Sequence, residues 1–411
     1  METKSICVVI PTYNRGIDLQ KQLTGLSKQT IIPDIVIVDN ASTDNTFKSI
    51  SKEYKLRDPT SIKNGRLYKG ILIGKNKKSK INYLLENENT GCAEGYYIGQ
   101  EYAYKKGYEC IILSDSDIVP ISNNLIEQLV KNVDPNTTSY GTDISLLHHW
   151  NGNIKERYHK LHEDHAEYHY WAFPRNIIGE IGYPIKKFFF YYDDIEYSER
   201  VNKKFNIKEL RTALYSHHGT TLTNFFTRVV TNSSYYIIRN KLMFAIHYSG
   251  DISRAFKIAI NDFEYSFFIM LLTFKMLKFR EALRYNMYIS YGILDGLMGN
   301  GGRSKFKDQM NLVLLKYNKY PKDAVYLTLI EKKVTKQTKD PKNFKKYEII
   351  DVSDGLKLST LFNILFKNKQ VIANDSIAEA VHARCLPLAT FKEFYIYKDD
   401  GLFKLCSTKI K

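Results

Sequence analysis

Cys110-Ile111-Ile112-Leu113-Ser114-Asp115-Ser116-Asp117 sets an apolar run directly against two carboxylates separated by one residue. Such a run, short and β-branched, is expected to be a buried strand, and its end places both acids where they can face one divalent cation. A hard cation such as Mg²⁺ or Mn²⁺ takes oxygen ligands and commonly bridges substrate phosphates. Asp115 and Asp117 are therefore candidate metal ligands for a nucleotide-diphosphate site, with Ser116 beside them. A solvated turn would read the same way, so the decision rests on the segments around it.

The first forty residues supply a matching frame. Ile6-Cys7-Val8-Val9-Ile10 is a continuous apolar run, as in a strand buried on both faces of a parallel sheet. It runs into Pro11-Thr12-Tyr13-Asn14-Arg15 and a helical stretch from Ile17 to about Thr30. A second run, Ile35-Val36-Ile37-Val38, ends at Asp39-Asn40-Ala41-Ser42-Thr43-Asp44. Open α/β sheets bind ligands beyond the carboxyl ends of their strands. Asp39 is expected to face a ligand, because a lone charge ending a buried strand needs a partner. Ser42 and Asp44 suit helix capping. Further on, Asn89-Thr90-Gly91-Cys92-Ala93-Glu94-Gly95 precedes a helix from Tyr96 to Lys106, and glycines at a helix start permit close approach of an anion.

These segments occur in the order of family 2 glycosyltransferases, which the chain resembles over roughly residues 5 to 303. The resemblance implies an α/β GT-A fold, a Rossmann-like nucleotide-diphospho-sugar transferase domain, with inverting chemistry. Downstream, Phe188-Phe189-Phe190-Tyr191-Tyr192-Asp193-Asp194-Ile195-Glu196-Tyr197-Ser198-Glu199-Arg200 is similar to the acidic motif of the rhamnosyltransferase and galactofuranosyltransferase branch. Tyr215-Ser216-His217-His218-Gly219 is similar to its histidine motif. Tyr235 to Asn240 and Asp295 to Gly302 resemble its closing segments.

An inverting transfer needs a base for the acceptor hydroxyl and charge stabilisation on the departing diphosphate. The resemblance places the base at Asp194, with Asp193 and Glu196 orienting the acceptor and Arg200 in the same motif. It places donor contacts at Pro11, Thr12, Tyr13, Arg15, Asp39, Asn40, Asn89, Gly91, Gly95 and Ser116. Caps for a helix starting near Ile195 are the alternative role for the acids. A neutral imidazole from His217 or His218 is a reasonable third metal ligand, and the two compete for the role. Trp171 is expected either to stack on a sugar face or to pack in the core. His148, His149, His159, His162, His165 and His169 lie in a polar stretch read as a hydrophilic loop or surface helix.

Composition bounds the rest. A chain of 411 residues with net charge +16 calls for an acidic partner. Basic residues form no recognition helix with base-reading side chains, which argues against nucleic acid. Helices rich in Phe, Tyr, Leu and Met with interspersed Arg and Lys, from Ser253 to Tyr291, suit an anionic membrane surface or packing on the catalytic domain. No apolar segment approaches the ~20 residues of a bilayer span. Met1-Glu2-Thr3-Lys4 leads straight into the first strand without a signal peptide. Cys7, Cys92, Cys110, Cys385 and Cys406 show no pairing pattern, and reduced thiols fit the cytoplasm, at the inner face of the membrane.

The expected domains are a catalytic domain over 1–245, a helical segment over 246–330, and a basic linker with a small α/β module over 331–411. Strands are expected at Tyr347–Val352, Gln370–Ala373 and Phe394–Tyr397, with helices at Leu356–Phe366 and Ile377–Arg384. A role in oligomerisation or acceptor docking suits that module. The function expected is metal-dependent transfer from a nucleotide-diphosphate sugar, UDP favoured, with galactofuranose or rhamnose as candidate sugars. The acceptor is a glycan or lipid-linked glycan of a cell-surface polysaccharide. A glucose, galactose or amino-sugar donor, or a silent glycan-binding homologue, is the alternative.

Overall fold

The computed structural model describes residues 5–74, 77–143, 166–217, 232–260 and 279–304, with six strands between Met310 and Lys409. Two compact units divide the chain: residues 1–219 with 300–303, and residues 220–299 with 304–411.

The first unit is built on a ten-stranded sheet in the order β3-β4-β5-β2-β1-β6-β9-β8-β10-β7. Its centre is parallel: β5 (Lys78–Glu86), β2 (Asp34–Asp39), β1 (Ile6–Thr12) and β6 (Cys110–Ser114). Side chains alternate between faces along a strand, and the core divides accordingly. Val8, Ile10, Ile35, Ile37 and Ile112 pack on one face with α1 (Gly16–Ser27). Cys7, Val9, Val36, Val38, Ile111 and Leu113 pack on the other with α3 (Cys92–Lys105), which follows α2 (Thr46–Glu53) in the chain. Burial on both faces is why β1 and β6 read as unbroken apolar runs.

The remaining strands are β3 (Arg57–Ile62), β4 (Gly65–Ile73), β7 (Ile118–Pro120), β8 (Thr137–Asp143), β9 (His169–Pro174) and β10 (Asn206–His217). β9 runs antiparallel to β6, with His169 opposite Ser114. The start of β9 therefore meets the end of β6. β10 pairs antiparallel with β7, His217 opposite Ile118, so the last strand of the unit also delivers a histidine beside the Asp115–Asp117 turn. Helices α4 (Leu125–Lys131), α5 (Arg175–Ile181) and α6 (Asp193–Asn202) complete the unit.

Close contact between α3 and the sheet depends on glycine. A Cβ at Gly99 would lie 2.3 Å from Val9 Cγ1, and one at Gly95 would lie 2.9 Å from Pro11 Cβ. Any larger residue pushes the helix, and the loop before it, off the strand ends.

In the second unit, α7 (Asn232–Met243) is linked to α8 (Phe279–Met298) by a Tyr235 hydroxyl donated to Asp295 Oδ2 at 2.7 Å. A six-stranded sheet follows in the order β11-β16-β15-β14-β12-β13: β11 (Met310–Tyr317), β12 (Ala324–Thr328), β13 (Glu348–Asp351), β14 (Gln370–Asn374), β15 (Phe394–Lys398) and β16 (Gly401–Lys409). Three of these strands stand where the sequence predicts them. The domain boundaries are corrected: β11 and β12 fall in the stretch assigned to helices, because the module's sheet needs them as partners for β16, β13 and β14. The first unit also ends at 219 instead of 245. The helices expected at 356–366 and 377–384 lie outside the described residues, as do His148 to His165. Among the described residues no helix is long and apolar enough to cross a membrane.

Candidate active site

Asp115 leaves the sheet as β6 ends, and its two oxygens meet different partners. The Tyr96 hydroxyl, from the first turns of α3, donates to Oδ1 at 2.6 Å. His169 Nε2 stands 3.6 Å from Oδ2. Asp117 lies between Arg15 Nη2 at 3.5 Å and His217 Nε2 at 3.5 Å. Burial opposes ionisation of Asp117, but the His217 hydrogen bond, with the charges of His217, Arg15 and His169, holds its carboxyl down at about 2. Ser116 is buried in the turn between them.

His169 is a correction to the sequence reading, which put it in a hydrophilic segment. It is buried, its ring centroid 5.0 Å from that of His217. Its Nδ1 stands 2.9 Å from Glu167 Oε2 and 3.1 Å from the Tyr215 hydroxyl. Burial disfavours the charged ring, yet Glu167 and Asp115 raise its pKa well above the ordinary value. The available signal was position: His169 opens the fully buried run His169-Tyr170-Trp171-Ala172-Phe173-Pro174. Tyr96 and Glu167 were likewise missed, since nothing local marks them, and Tyr215 was read only as part of the histidine motif.

The acidic pair opens α6, where negative charge meets the helix N-terminus. Before it, Phe189, Tyr191 and Tyr192 have φ of 63°, 65° and 72°, left-handed values that non-glycine residues adopt at a cost of about 1–3 kcal/mol each. Such strain concentrates where a site demands one backbone path. Asp193 is buried, and among the described residues its Oδ2 has no hydrogen-bond partner. Burial, then the charges of Asp194, Asp115 and Glu196, raise its pKa well above the ordinary carboxylate value. Asp194 is half-buried, and its Oδ1 accepts from the Ile195 amide at 2.8 Å. Burial first, then Glu167 and Asp115, lift its carboxyl to about 6 against the Ile195 amide and His169. A carboxylate so placed is a competent base near neutral pH.

Glu196 and Arg200 are corrected. Glu196 is 1% exposed and both its oxygens are held by Arg200, Oε2 at 2.9 Å from Nη2. Arg200 also donates to the carbonyls of Ile181 and Tyr183 and lies over the Tyr197 ring. The pair clasps α6 to the loop after α5. Trp171 is corrected too. It is fully buried, its Nε1 donates to Thr138 Oγ1 at 3.0 Å, and it packs on Phe173 and Tyr197, so no ring face is open to a sugar.

Along the donor side, Asn40 Nδ2 donates to Gly91 O at 3.2 Å, and its amide donates to Thr12 O at 2.9 Å. Asn89 Oδ1 accepts from the Gly91 amide. Gly91, at φ 92°, presses on Phe189, whose carbonyl would be 2.3 Å from a Cβ there. Pro11 abuts Gly95, and Tyr13 is exposed. Asp39 departs from expectation. It is fully buried, with Oδ2 accepting from the Tyr83 hydroxyl and Oδ1 from the Ser42 amide, so it orders the turn after β2. Asp44 Oδ1 accepts from the Thr46 amide at the start of α2. His218 lies outside the described residues.

This ordered set of turns, acids and histidines spans the stretch that a family model recognises: the model described as glycosyl transferase family 2 matches residues 7–229, more than half of the chain. The chain belongs to glycosyl transferase family 2. The glycosyltransferase has the mixed α/β sheet of the GT-A fold, as expected. No curated protein matches it. Similar solved structures include a mannosyltransferase from Pyrobaculum calidifontis in complex with GDP-mannose and Mn²⁺, at 12% identity and TM-score 0.44, covering 72% of this chain and 88% of that one. Another is S. aureus TarS, at 13% identity and TM-score 0.39, covering 76% and 64%. A third is glucosyl-3-phosphoglycerate synthase from Mycobacterium tuberculosis with Mn²⁺, UDP and glucosyl-3-phosphoglycerate, at 12% identity and TM-score 0.35, covering 53% and 74%.

The donor set of this glycosyltransferase fits a divalent cation. Asp115 and Asp117 offer hard oxygens and His217 a borderline nitrogen, a combination suited to Mn²⁺ and, through its oxygens, to Mg²⁺. No three His, Cys, Asp or Glu side chains are converged into a ready cage among the described residues. Asp117 is occupied instead by Arg15 and His217.

Proposed function

We propose that this glycosyltransferase is metal-dependent and inverting, with Asp194 as the base that takes the proton of the acceptor hydroxyl. The observation that carries the reading is Asp194 itself: half-buried, at the start of α6, its carboxyl lifted to about 6 by burial, Glu167 and Asp115. Attack by the deprotonated acceptor oxygen on the anomeric carbon, opposite the departing diphosphate, inverts that centre. Asp193, buried next to the base, has its carboxyl pushed well above the ordinary value by burial and by Asp194, so its neutral form is favoured there. A cation held by Asp115, Asp117 and His217 would offset the charge of the departing diphosphate. Arg15, already against Asp117, is placed to meet the same phosphates. Asn40, Asn89, Gly91 and Gly95 fix the backbone on which the donor rests. Pro11, Thr12 and Tyr13 border it, and Ser116 sets the spacing of the two metal ligands.

The donor is read as a nucleotide-diphosphate sugar, UDP favoured, with galactofuranose or rhamnose as the sugar and a glycan or lipid-linked glycan as acceptor. Thermal stabilisation by UDP-, dTDP- and GDP-sugars, with Mn²⁺ and with EDTA, tests donor and metal together. Metal-dependent stabilisation by one nucleotide is expected, and none by any would overturn the reading. An anionic membrane surface is the proposed site of action. Supporting it, Ile252, Phe256 and Ile260 are 74%, 67% and 39% exposed at four-residue spacing in a helical stretch that also carries Arg254 and Lys257. Absence of binding to anionic vesicles at physiological salt would remove that part.

A further inference from the structure

The buried side of the Asp115 turn contains a histidine with a carboxylate on each ring nitrogen. His169 Nδ1 is 2.9 Å from Glu167 Oε2, and Nε2 is 3.6 Å from Asp115 Oδ2. The Tyr215 hydroxyl, 3.1 Å from Nδ1, and the edge of the His217 ring confine the imidazole further. On its other oxygen Asp115 accepts from Tyr96, a fully buried phenol anchored in α3. Asp115 is thus gripped from two elements, β9 and α3, that the topology brings to one strand end.

We infer that His169 is a positioning residue that sets the orientation of Asp115 for cation binding, with Glu167 fixing the His169 ring in turn. This rests on the proposed metal-dependent reading. Carboxylates that ligate metals are themselves held by hydrogen-bond partners, and losing such a partner costs about 10–100-fold in metal affinity. Both ring nitrogens already face carboxylates, Nδ1 that of Glu167 and Nε2 that of Asp115. His169 therefore acts through Asp115. Glu167 is the outer member, its side chain 53% exposed, so it orients the ring without being a buried charge of its own.

The test compares His169→Gln with His169→Asn in the full chain. The Gln amide reaches the position of Nε2 and keeps a donor towards Asp115. The Asn amide replaces Nδ1 only and leaves Asp115 unsupported. Mn²⁺ affinity is read from the paramagnetic resonance signal of free Mn²⁺, without any turnover, and melting curves report folding. His169→Asn is expected to bind Mn²⁺ about tenfold more weakly than wild type, and His169→Gln within about threefold of it. Equal losses in both variants, or none in His169→Asn, overturn the inference. Glu167→Gln, at an exposed position, is expected to weaken Mn²⁺ binding by about threefold. It decides the matter if the His169 variants fail to fold, and an unchanged affinity there counts against the inference. Asp117→Ala, run alongside, separates the two levels. Wild type binding no Mn²⁺ overturns the metal reading itself, whereas tight wild-type binding lost in Asp117→Ala but not in His169→Asn overturns only the role of His169.

Discussion

Arg15 Nη2 lies 3.5 Å from Asp117 Oδ2, joining the turn after β1 to the turn after β6 across 102 positions of sequence. His217 Nε2 approaches the other oxygen of Asp117 at the same distance. Asp117→Ala should therefore weaken UDP binding in the presence of Mn²⁺ and change it little in EDTA. Calorimetry under both conditions checks this. Equal loss in both would indicate damage to the fold, since Arg15 and His217 would each lose an ion-pair partner.

Asp194→Asn keeps the shape of the base and removes its proton affinity. Transfer should fall by about 10²–10⁴-fold, the usual contribution of a positioned base, while donor and metal binding stay near wild type. Radiolabelled sugar transfer from the donor identified by thermal shift measures it. Near-wild-type turnover would move the base elsewhere, with Asp193 the next candidate.

The same substitution has a predictable effect on stability. An Asp with an unfolded pKa near 4 and a folded value of about 6 favours folding below pH 4 and loses that contribution as pH rises through 6. At pH 8 Asp194 is ionised at a cost in its half-buried site, and Asn removes that charge. Asp194→Asn should therefore be more stable than wild type by about 1–2 kcal/mol at pH 8, discounting the shift for partial exposure. The difference should vanish near pH 4. Denaturant melts at the two pH values check the sign, and a variant less stable at pH 8 would show that Asp194 is not held in a charge-disfavouring site.

Strands buried on both faces were legible because their sequences alternate nothing: Ile6 to Ile10 and Cys110 to Leu113 are apolar throughout. The aspartate turn stands out because it follows such a run, the acidic pair because it opens α6, and His217 because it ends β10. His169 was not, because its importance comes from β9 running antiparallel to β6, a pairing between residues 55 positions apart that no local pattern announces. The internal partners of Asp39, Glu196 and Arg200 stayed hidden for a related reason. A charge beside a buried strand or in a motif needs a partner, and sequence cannot distinguish Tyr83 or an internal Arg–Glu pair from a ligand. The module boundary failed because a strand's partners, not its own residues, decide whether it joins a sheet.

Trp171 offers a clean separation of packing from recognition. Its ring is fully buried against Phe173 and Tyr197, and only Nε1 makes a polar contact, with Thr138. Trp171→Phe keeps most of the packing and drops that hydrogen bond, leaving the buried Thr138 hydroxyl to the Asn206 carbonyl alone. It should cost about 1–3 kcal/mol in stability, with the KM for donor and acceptor unchanged. Trp171→Ala should cost about 3–5 kcal/mol, as large aromatic truncations in cores do. Melting curves measured beside Michaelis kinetics decide it. A raised KM in Trp171→Phe with stability intact would restore the sugar-stacking role that burial denies it.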